Sequence, residues 1–450
     1  MTNTLDNLQR IEYRAVLIDG HSKRVLAIAT AAGLLLPRVS IPPYTRVAES
    51  LTEAIVLRYN LRTIQLCSLP DREQFSGCAV LEIVDMQQAM CGPLSFVELD
   101  EIASNELADE ERATVLRVIK GDADELGRFA QLGWLEKLLT RLGSCNDRGT
   151  RPLIRQLNQG IDFCLLSVTQ ATGDRVWFKA VGEPNTCEYA LTIELARRFP
   201  GCMPKILATI PEWNGWITQD AGGVPLNESA SIDQCERALS ALAVMQKGMI
   251  NDVSSLSALG AKDWTYARIS MLARPFFQEA LCAMQAQTSV KSKPLSDAEL
   301  FQLQSATESA LDEFMNTGIP ETLLHGDIGH GNAIATCGGP VFLDWAETCI
   351  GHPFLCAEHL VADLARSNPM FNAIQPVLRS HYAAHWREFV RPEELKKVTA
   401  LAPAIGAFAY ALIAWDANHN RPDPSQAWPL IRSMLRRTKR ELEQVKGVSA

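Results

Sequence analysis

The segment that most restricts how this chain can fold is residues 323–345, where a polar loop leads into two short apolar runs. The loop reads LLHGDIGHGN, and the runs AIAT and PVFL follow it, separated by CGG and ended by Asp344. Two apolar runs around a glycine turn predict a β-hairpin. If the turn centres on Gly338, antiparallel pairing places Asn332 opposite Asp344 at the open end of the hairpin.

The predicted hairpin brings oxygen-bearing side chains together. Asp327 lies in the loop that enters the first strand, so its carboxylate is expected near Asn332 and Asp344. Mg²⁺ prefers hard oxygen ligands of this kind, takes one or two carboxylates from the protein, and completes its shell with water and phosphate oxygens. The pattern therefore predicts a metal site at Asn332 and Asp344, with Asp327 beside it but not among the metal ligands. The alternative is a polar turn whose aspartate caps a neighbouring element.

The same residues resemble a known family. Protein kinases carry H-R-D-x-x-x-x-N followed by a strand and a metal-binding aspartate. Four residues fit this frame, with Gly in place of Arg: His325, Gly326, Asp327 and Asn332. Together with LDWAETCIGHP at 343–353, HGD is similar to the aminoglycoside phosphotransferase and choline kinase branch of the kinase-like fold. One departure is Cys356, where that branch often has an aspartate.

A kinase-like site also needs a strand lysine held by a helical glutamate. Lys179 ends the strand-like run RVWFK, at a position that resembles that of the family's lysine. In the helix predicted over about 186–199, Glu188 shares one face with three apolar residues, Leu191, Leu195 and Phe199. A carboxylate in an apolar stripe needs a partner, and Lys179 is the natural candidate. Glu194 lies off that face and is expected to pair with Arg198.

The resemblance implies transfer of the γ-phosphoryl group of ATP, with Mg²⁺, to a hydroxyl of a small molecule. It assigns Asp327 to the proton of the acceptor hydroxyl and Asn332 and Asp344 to Mg²⁺. Lys179, positioned by Glu188, would neutralise charge on the non-transferred phosphates. His325 would hold the loop rather than act as a base. In the linker WITQDAGGVPL, backbone groups of three residues would meet adenine: Gln219, Asp220 and Ala221.

The acceptor is expected to lie against the helical residues 228–320 and 355–440. Members of this branch phosphorylate hydroxyl compounds such as aminoglycosides, choline, homoserine or sugars, and no residue here selects among them. A cationic acceptor could use three acidic residues, although each is more typical of a solvated helix face: Glu347, Glu358 and Asp363. A kinase-like protein that binds nucleotide or a partner without catalysis is the alternative function, and protein phosphorylation is a further one.

The fold class expected is α+β, with a small N-terminal α/β domain before a bilobal kinase-like domain whose C-terminal lobe is largely helical. The predicted regions are a small domain (1–100), a helical linker (101–150), the N-lobe (151–222) and the C-lobe (223–450). The polar, turn-rich stretch CNDRGTRP at 145–152 suggests the boundary before the N-lobe. RQLNQGIDF, with one glycine between two predicted strands, takes the place of the phosphate-covering loop. Beyond residue 228 the pattern predicts helices and a single hairpin.

Residues 12–65 resemble a Nudix hydrolase. A predicted hairpin over 12–29 precedes a helix near 48–61, in which Glu49 and Arg58 match two residues of the Nudix box. The carboxylates that the box needs after its arginine are replaced by Tyr59, Arg62 and Thr63, so hydrolysis is not expected. A structural or ligand-sensing role follows, and an unrelated small α+β domain is the alternative.

The amino-acid composition limits the expected binding partners and the expected cellular compartment of the protein. A net charge of −9 argues against a nucleic-acid partner or an anionic membrane surface. The 12 cysteines stand singly without a CxxC pair, as expected of buried thiols in a reducing cytoplasm. The polar start of the sequence is not expected to be a signal peptide. The apolar stretch at 400–415 contains a proline and a glycine and is expected to be a buried helix. Oligomeric state stays open.

Overall fold

The computed structural model describes residues 10–31, 33–69, 76–86, 94–143, 152–229, 231–329 and 331–448 of the chain. The chain forms two compact units. The first comprises Met1–Tyr189 and Ile206–Asp220, and the second comprises Ala190–Lys205 and Ala221–Ala450. Strands dominate the first unit and helices the second, which confirms the α+β fold class.

A mixed sheet opens the first unit. Its seven described strands are β1 (Ile11–Asp19), β2 (Val25–Thr30), β3 (Gly33–Leu35), β4 (Arg38–Ile41), β5 (Leu61–Leu69), β6 (Ser76–Met86) and β7 (Leu94–Val97). The order is β3-β2-β1-β6-β5, with β4 also on β1 and β7 also on β2. β1 and β6 run parallel and β1 and β2 form an antiparallel hairpin, so the hairpin predicted over 12–29 is confirmed.

Three helices accompany this sheet: α1 (Val47–Tyr59), α2 (Asp109–Lys120) and α3 (Trp134–Arg141). The helix predicted near 48–61 is therefore confirmed. Both residues of the Nudix resemblance have partners within the first unit, since Glu49 lies 2.5 Å from an Arg155 nitrogen and Arg58 donates to the Arg38 carbonyl at 2.8 Å. The Nudix resemblance itself stays a prediction.

A second, antiparallel sheet completes the first unit. Its strands are β8 (Leu153–Gly160), β9 (Phe163–Thr169), β10 (Arg175–Ala180), β11 (Ile206–Ile210) and β12 (Gly215–Gln219), in the order β11-β12-β10-β9-β8. Helix α4 (Cys187–Arg198) follows β10, and its residues from Ala190 onward belong to the second unit. The strands and the helix predicted between residues 163 and 219 are confirmed.

One hydrophobic core joins the two sheets of the first unit. Side chains alternate along β1, so that Val16 and Ile18 face this core while Leu17 faces a second cluster with α1. Burial on both faces explains the continuous apolar run at residues 15–18 of β1. The shared core also takes residues from α2, α3 and the second sheet, including Val118, Trp134, Leu138, Leu166, Phe178 and Ile217.

The second unit is mainly helical. Its described helices are α5 (Leu226–Ser229), α6 (Ile232–Met249), α7 (Val253–Ala258), α8 (Tyr266–Gln285), α9 (Asp297–Met315), α10 (Pro353–Ser367), α11 (Gln375–Ala384), α12 (Pro392–Asp416) and α13 (Trp428–Val448). In the described part of the chain, α12 alone is long and apolar enough to cross a membrane. Its most apolar window is 67% buried within the protein, as is typical of a core helix.

Two small sheets interrupt these helices. Strands β13 (Val224–Pro225), β16 (Ala333–Thr336) and β17 (Gly339–Phe342) form one, and β14 (Lys262–Trp264), β15 (Thr322–Leu324) and β18 (Cys349–Gly351) form the other. The prediction of a single hairpin beyond residue 228 was therefore incomplete. Strands of three residues are too short to show the alternation of apolar and polar side chains by which a strand is recognised.

Candidate functional site

The predicted hairpin is present, with a register one residue away from the expected one. Ala333 lies opposite Phe342, and the Leu343 N–H donates to the Asn332 carbonyl at 2.8 Å. Asn332 therefore lies opposite Leu343, and its predicted pairing with Asp344 was wrong. The turn contains two residues, Cys337 and Gly338, so its centre falls between them instead of on the glycine.

Asp344 follows the hairpin in a left-handed backbone conformation, with φ of 60°. Such a conformation is uncommon for a residue other than glycine and is often associated with functional sites. The Asp344 side chain is exposed, whereas the next residue, Trp345, is 1% exposed. The backbone turn thus presents a carboxylate to solvent directly beside a buried anchor.

Asn332 closes the loop that begins at Asp327. Its Nδ2 donates to the main-chain oxygen of Asp327 at 2.9 Å and to Asp327 Oδ2 at 3.3 Å, and its backbone N–H donates to the Gly329 carbonyl at 3.0 Å. The asparagine amide therefore orients the aspartate carboxylate and fixes the loop around it. The two hydrogen bonds from Nδ2 require an asparagine five residues after the aspartate.

His325 anchors the same loop to the strand that leads to Asp344. Its ring is fully buried, its Nε2 lies 2.8 Å from the Leu343 carbonyl oxygen, and its centroid is 4.4 Å from that of Trp345. Burial lowers the pKa of His325 to about 4, so at neutral pH the imidazole is uncharged and donates through Nε2. This bond supports the expected structural role of His325.

The packing around Gly326 explains why this chain has Gly where the protein-kinase motif has Arg. Its φ is 78°, and a Cβ at this position would overlap the carbonyl oxygen of Glu347. Any side chain would therefore push the loop away from residue 347. The glycine is required by close backbone packing beneath the loop.

The expected pair between a strand lysine and a helical glutamate is formed in the first unit. Lys179 Nζ lies 2.5 Å from Glu188 Oε1, and the two side chains are 14% and 1% exposed. The same nitrogen is 5.9 Å from the centroid of the Trp216 ring. The other predicted pair is also present, since Arg198 Nε lies 2.6 Å from Glu194 Oε1. Hydrogen bonds from Arg197 and Arg198 lower the pKa of Glu194 to about 2.

The residues expected to meet adenine lie at the end of β12. Gln219 is the last residue of that strand, and Ala221 begins the second unit. The Asp220 N–H donates to the Arg175 carbonyl at 3.1 Å, and the Asp220 carboxylate accepts the Trp177 indole N–H at 2.7 Å. Asp220 thus caps the neighbouring strand, and the contact of these residues with adenine stays a prediction.

The acidic residues named for a cationic acceptor are matched by cations of the second unit. Glu347 pairs with Lys262, Arg379 Nε lies 2.7 Å from a Glu358 oxygen, and Arg366 lies 3.0 Å from Asp363. The interpretation of Glu358 and Asp363 as solvated was wrong, because both are 3% exposed. They lie in α10, in which most residues are buried, and the apolar neighbours of both carboxylates in the sequence could have identified them as members of buried ion pairs.

Asp363 also supports the loop, which the sequence did not indicate. A Cβ at Gly329 would lie 3.3 Å from Asp363 Cγ, so this carboxylate packs directly beneath the loop that carries Asp327. The described residues contain no group of three or more His, Cys, Asp or Glu side chains that could hold a metal ion. A metal at Asn332 and Asp344 would therefore need further oxygen ligands from a bound molecule or water.

Residues 203–355 match the family model described as "Phosphotransferase enzyme family". The matched region contains Asp327, Asn332 and Asp344, so the resemblance noted from the motifs is confirmed there, and the match supports a phosphotransferase function. No curated protein matches the chain.

Solved structures similar to the chain include a macrolide 2'-phosphotransferase apoenzyme from Brachybacterium faecium, which is 18% identical over 66% of this chain and 96% of that one, with a TM-score of 0.40. A choline/ethanolamine kinase family protein from Mesorhizobium loti is 17% identical over 70% of this chain and 99% of that one, with a TM-score of 0.44. An aminoglycoside phosphotransferase from Alicyclobacillus acidocaldarius is 14% identical over 63% of this chain and 90% of that one, with a TM-score of 0.39. Because the TM-scores are below 0.5, these similarities give no information about the substrate of this protein.

Proposed function

We propose that the protein transfers the γ-phosphoryl group of ATP to a hydroxyl group of a small molecule. The observation that carries this proposal is the loop in which the Asn332 amide holds the Asp327 carboxylate, anchored by His325 to the strand before Asp344. A capping aspartate needs no such anchoring. A loop that fixes one exposed carboxylate and is bonded to the residue before a second exposed carboxylate is suited to phosphoryl transfer, in which positioning and electrostatics provide most of the catalysis.

Asp327 is the proposed acceptor of the hydroxyl proton. Its side chain is exposed, and Asn332 holds the carboxylate through Oδ2. Because the amide fixes the carboxylate, the proton acceptor is oriented before the substrate arrives. Such preorganisation removes part of the entropy cost of aligning the reacting groups.

Asn332 and Asp344 fit the proposed Mg²⁺ site by the chemistry of their donors. The nitrogen of the Asn332 amide is used by Asp327, which leaves the amide oxygen for a metal. Asp344 supplies an exposed carboxylate. One amide oxygen and one carboxylate are a typical protein contribution to Mg²⁺, which would neutralise charge on the phosphates when bound.

Lys179 is proposed to bind the non-transferred phosphates, with Glu188 as its support. Glu188 is nearly fully buried and holds the lysine at 2.5 Å, so the ammonium group has a defined position on β10. Gln219, Asp220 and Ala221 are proposed to provide backbone contacts to adenine.

The acceptor is proposed to be a small hydroxyl compound that binds to the helical unit. Glu347, Glu358 and Asp363 already pair with basic side chains of that unit. Recognition of a cationic acceptor through these three carboxylates would break existing ion pairs and, at Glu358 and Asp363, would leave buried charges. We therefore do not assign the acceptor's recognition to them. The ten described cysteines are free thiols, in keeping with the proposed location in a reducing cytoplasm.

A phosphoryl-transfer assay tests this function. The purified protein is incubated with Mg²⁺, ATP labelled in the γ position and a panel of hydroxyl compounds that includes aminoglycosides, choline, homoserine and sugars. Label is expected in one acceptor with the native protein and is expected to be lost with Asp327→Asn. The matched control is Glu313→Ala, an exposed residue of α9, which should retain transfer. Equal transfer by the native protein and Asp327→Asn would contradict the assignment.

A further inference from the structure

The segment 127–134, which ends at the first residue of α3 in the first unit, contacts the second sheet at two points. We call it the tether segment. One point is the turn of the β8–β9 hairpin, and the other is the buried face of β10. β10 carries Lys179 on its opposite face. The tether segment lies outside residues 203–355, the region that matches the phosphotransferase family.

At the hairpin, Arg128 holds Asp162. The Arg128 backbone N–H and side-chain Nε donate to Asp162 Oδ1 at 2.7 and 2.9 Å. Asp162 occupies the turn itself, with φ of 57°. The hydrogen bonds from Arg128 hold the pKa of Asp162 below its usual range. A charge-assisted bond and a backbone bond to one oxygen thus fix the turn of this hairpin.

Two glycines allow the close approach at this turn. A Cβ at Gly127 would lie 2.8 Å from the Asp162 nitrogen, and a Cβ at Gly182 would lie 2.7 Å from the Asp162 Cβ. Gly182 follows β10 by two residues. The hairpin turn is therefore packed between the tether segment and the backbone just beyond the lysine strand.

At β10, aromatic rings of the tether segment surround Phe178. The ring centroids of Phe129 and Trp134 lie 6.1 and 6.5 Å from that of Phe178, and Trp213 adds a third ring at 5.9 Å. Phe178 is fully buried and directly precedes Lys179, so the two side chains face opposite sides of the sheet. The tether segment thus supports both the lysine strand and the hairpin beside it.

We propose that Arg128 is a positioning residue for nucleotide binding, acting through Asp162 on the β8–β9 hairpin. This inference rests on the proposed function. In kinase-like sites the loop that covers the phosphates lies in the same sheet as the phosphate-binding lysine, and here the β8–β9 hairpin has that place.

Two physical effects follow from the contact. Fixing the hairpin before nucleotide binds lowers the entropy cost of binding. The guanidinium of Arg128 also offsets the negative charge of Asp162, which would otherwise repel phosphates.

The test compares Arg128→Ala with Arg117→Ala. Arg117 also pairs with a carboxylate in the first unit, that of Glu125, so it serves as the matched control. Steady-state kinetics at saturating acceptor should show KM for ATP raised roughly tenfold in Arg128→Ala, with kcat nearly unchanged. Arg117→Ala should behave as the native protein. Asp162→Ala in the Arg128→Ala background should not raise KM further, because the two residues act as a pair and the double variant also lacks the unpaired carboxylate.

An equal KM for ATP in the Arg128 and Arg117 variants, or a fall in kcat alone, would overturn the inference. Hydrogen exchange provides a readout that needs no nucleotide. Amides of residues 160–163 should exchange faster in Arg128→Ala than in the native protein, while those of β12 should not. Unchanged exchange at 160–163 would also overturn it. Failure of the folded native protein to bind ATP would instead contradict the proposed function, and the exchange result would still decide whether Arg128 fixes the hairpin.

Discussion

Asn332 Nδ2 lies 2.9 Å from the main-chain oxygen of Asp327 and 3.3 Å from its carboxylate. One amide group therefore fixes both the path of the loop and the direction of its carboxylate. The adjoining contact of His325 with the Leu343 carbonyl ties this loop to the residue before Asp344. The proposed chemistry of the second unit depends on these three hydrogen bonds.

Asn332→Asp should abolish most activity. The new carboxylate cannot donate to Asp327 and places a like charge beside it, so Asp327 loses its orientation. We expect kcat to fall by about 100-fold, as is typical when a preorganised polar contact at a reacting group is removed. Steady-state kinetics measures this effect, with the melting temperature as a check on folding. A variant with native kcat would show that the Asn332 contact does not matter for catalysis.

Gly326→Ala should destabilise the second unit strongly. The substitution combines left-handed backbone strain with overlap between the new methyl group and the Glu347 carbonyl. The matched control is Gly121→Ala, since Gly121 has φ of 75° and nothing within 4 Å of its Cβ position. Strain alone costs about 1–2 kcal/mol. Urea unfolding should show a larger loss for Gly326→Ala than for Gly121→Ala, and equal losses would refute the packing argument.

Lys179→Met should lower stability through the charge that it leaves behind. Glu188 is 1% exposed, and removing one partner of a buried ion pair costs about 3–5 kcal/mol. Adding Glu188→Leu should recover much of this free energy of unfolding, because the buried charge is then gone. ATP binding should not return in the double variant. Recovery of both stability and binding would show that Lys179 has only a structural role.

His352 should make stability depend on pH. Burial lowers the pKa of His352 to about 3, and within the described residues neither ring nitrogen has a hydrogen-bond partner. The unfolded chain takes up a proton near pH 6.5 and the folded chain does not. Stability is therefore fully present above about pH 6.5 and is lost as the pH falls towards 3, by about 1.4 kcal/mol per pH unit.

His352→Phe removes this proton uptake and keeps the contact with Phe314, whose ring centroid lies 4.3 Å from that of His352. The free energy of unfolding of the native protein minus that of the variant should therefore fall steadily from pH 6.5 to pH 4. Denaturant unfolding at several pH values measures it. A constant difference would show that His352 does not titrate abnormally.

The sequence predicted contacts that follow from periodicity and from the cost of buried charge. Glu188 lies on an apolar helix face, which requires a cation nearby, and Lys179 is the next-to-last residue of the preceding strand. The same argument applied to α10 would have identified the pairs of Glu358 and Asp363. The apolar sequence around each carboxylate, together with the cost of burying a charge, is sufficient to predict that these residues form ion pairs.

The remaining features depend on information that a single sequence does not contain. The register of the β16–β17 hairpin depends on whether its turn has two or three residues, and CGG is compatible with either. The left-handed conformation of Asp344 is imposed by its surroundings, since aspartate has no strong preference for it. Arg128 and Asp162 are 34 residues apart in polar turns without periodicity, so nothing local relates them.

Calorimetry of Mg²⁺-dependent ATP binding tests the central claim most directly. The native protein should bind ATP only when Mg²⁺ is present, and Asp344→Ala should lose this Mg²⁺-dependent binding. Glu313→Ala should bind as the native protein does. Absence of binding by the folded native protein, or equal binding by Asp344→Ala, would contradict the assignment of Asp344 as a metal ligand in a phosphoryl-transfer site.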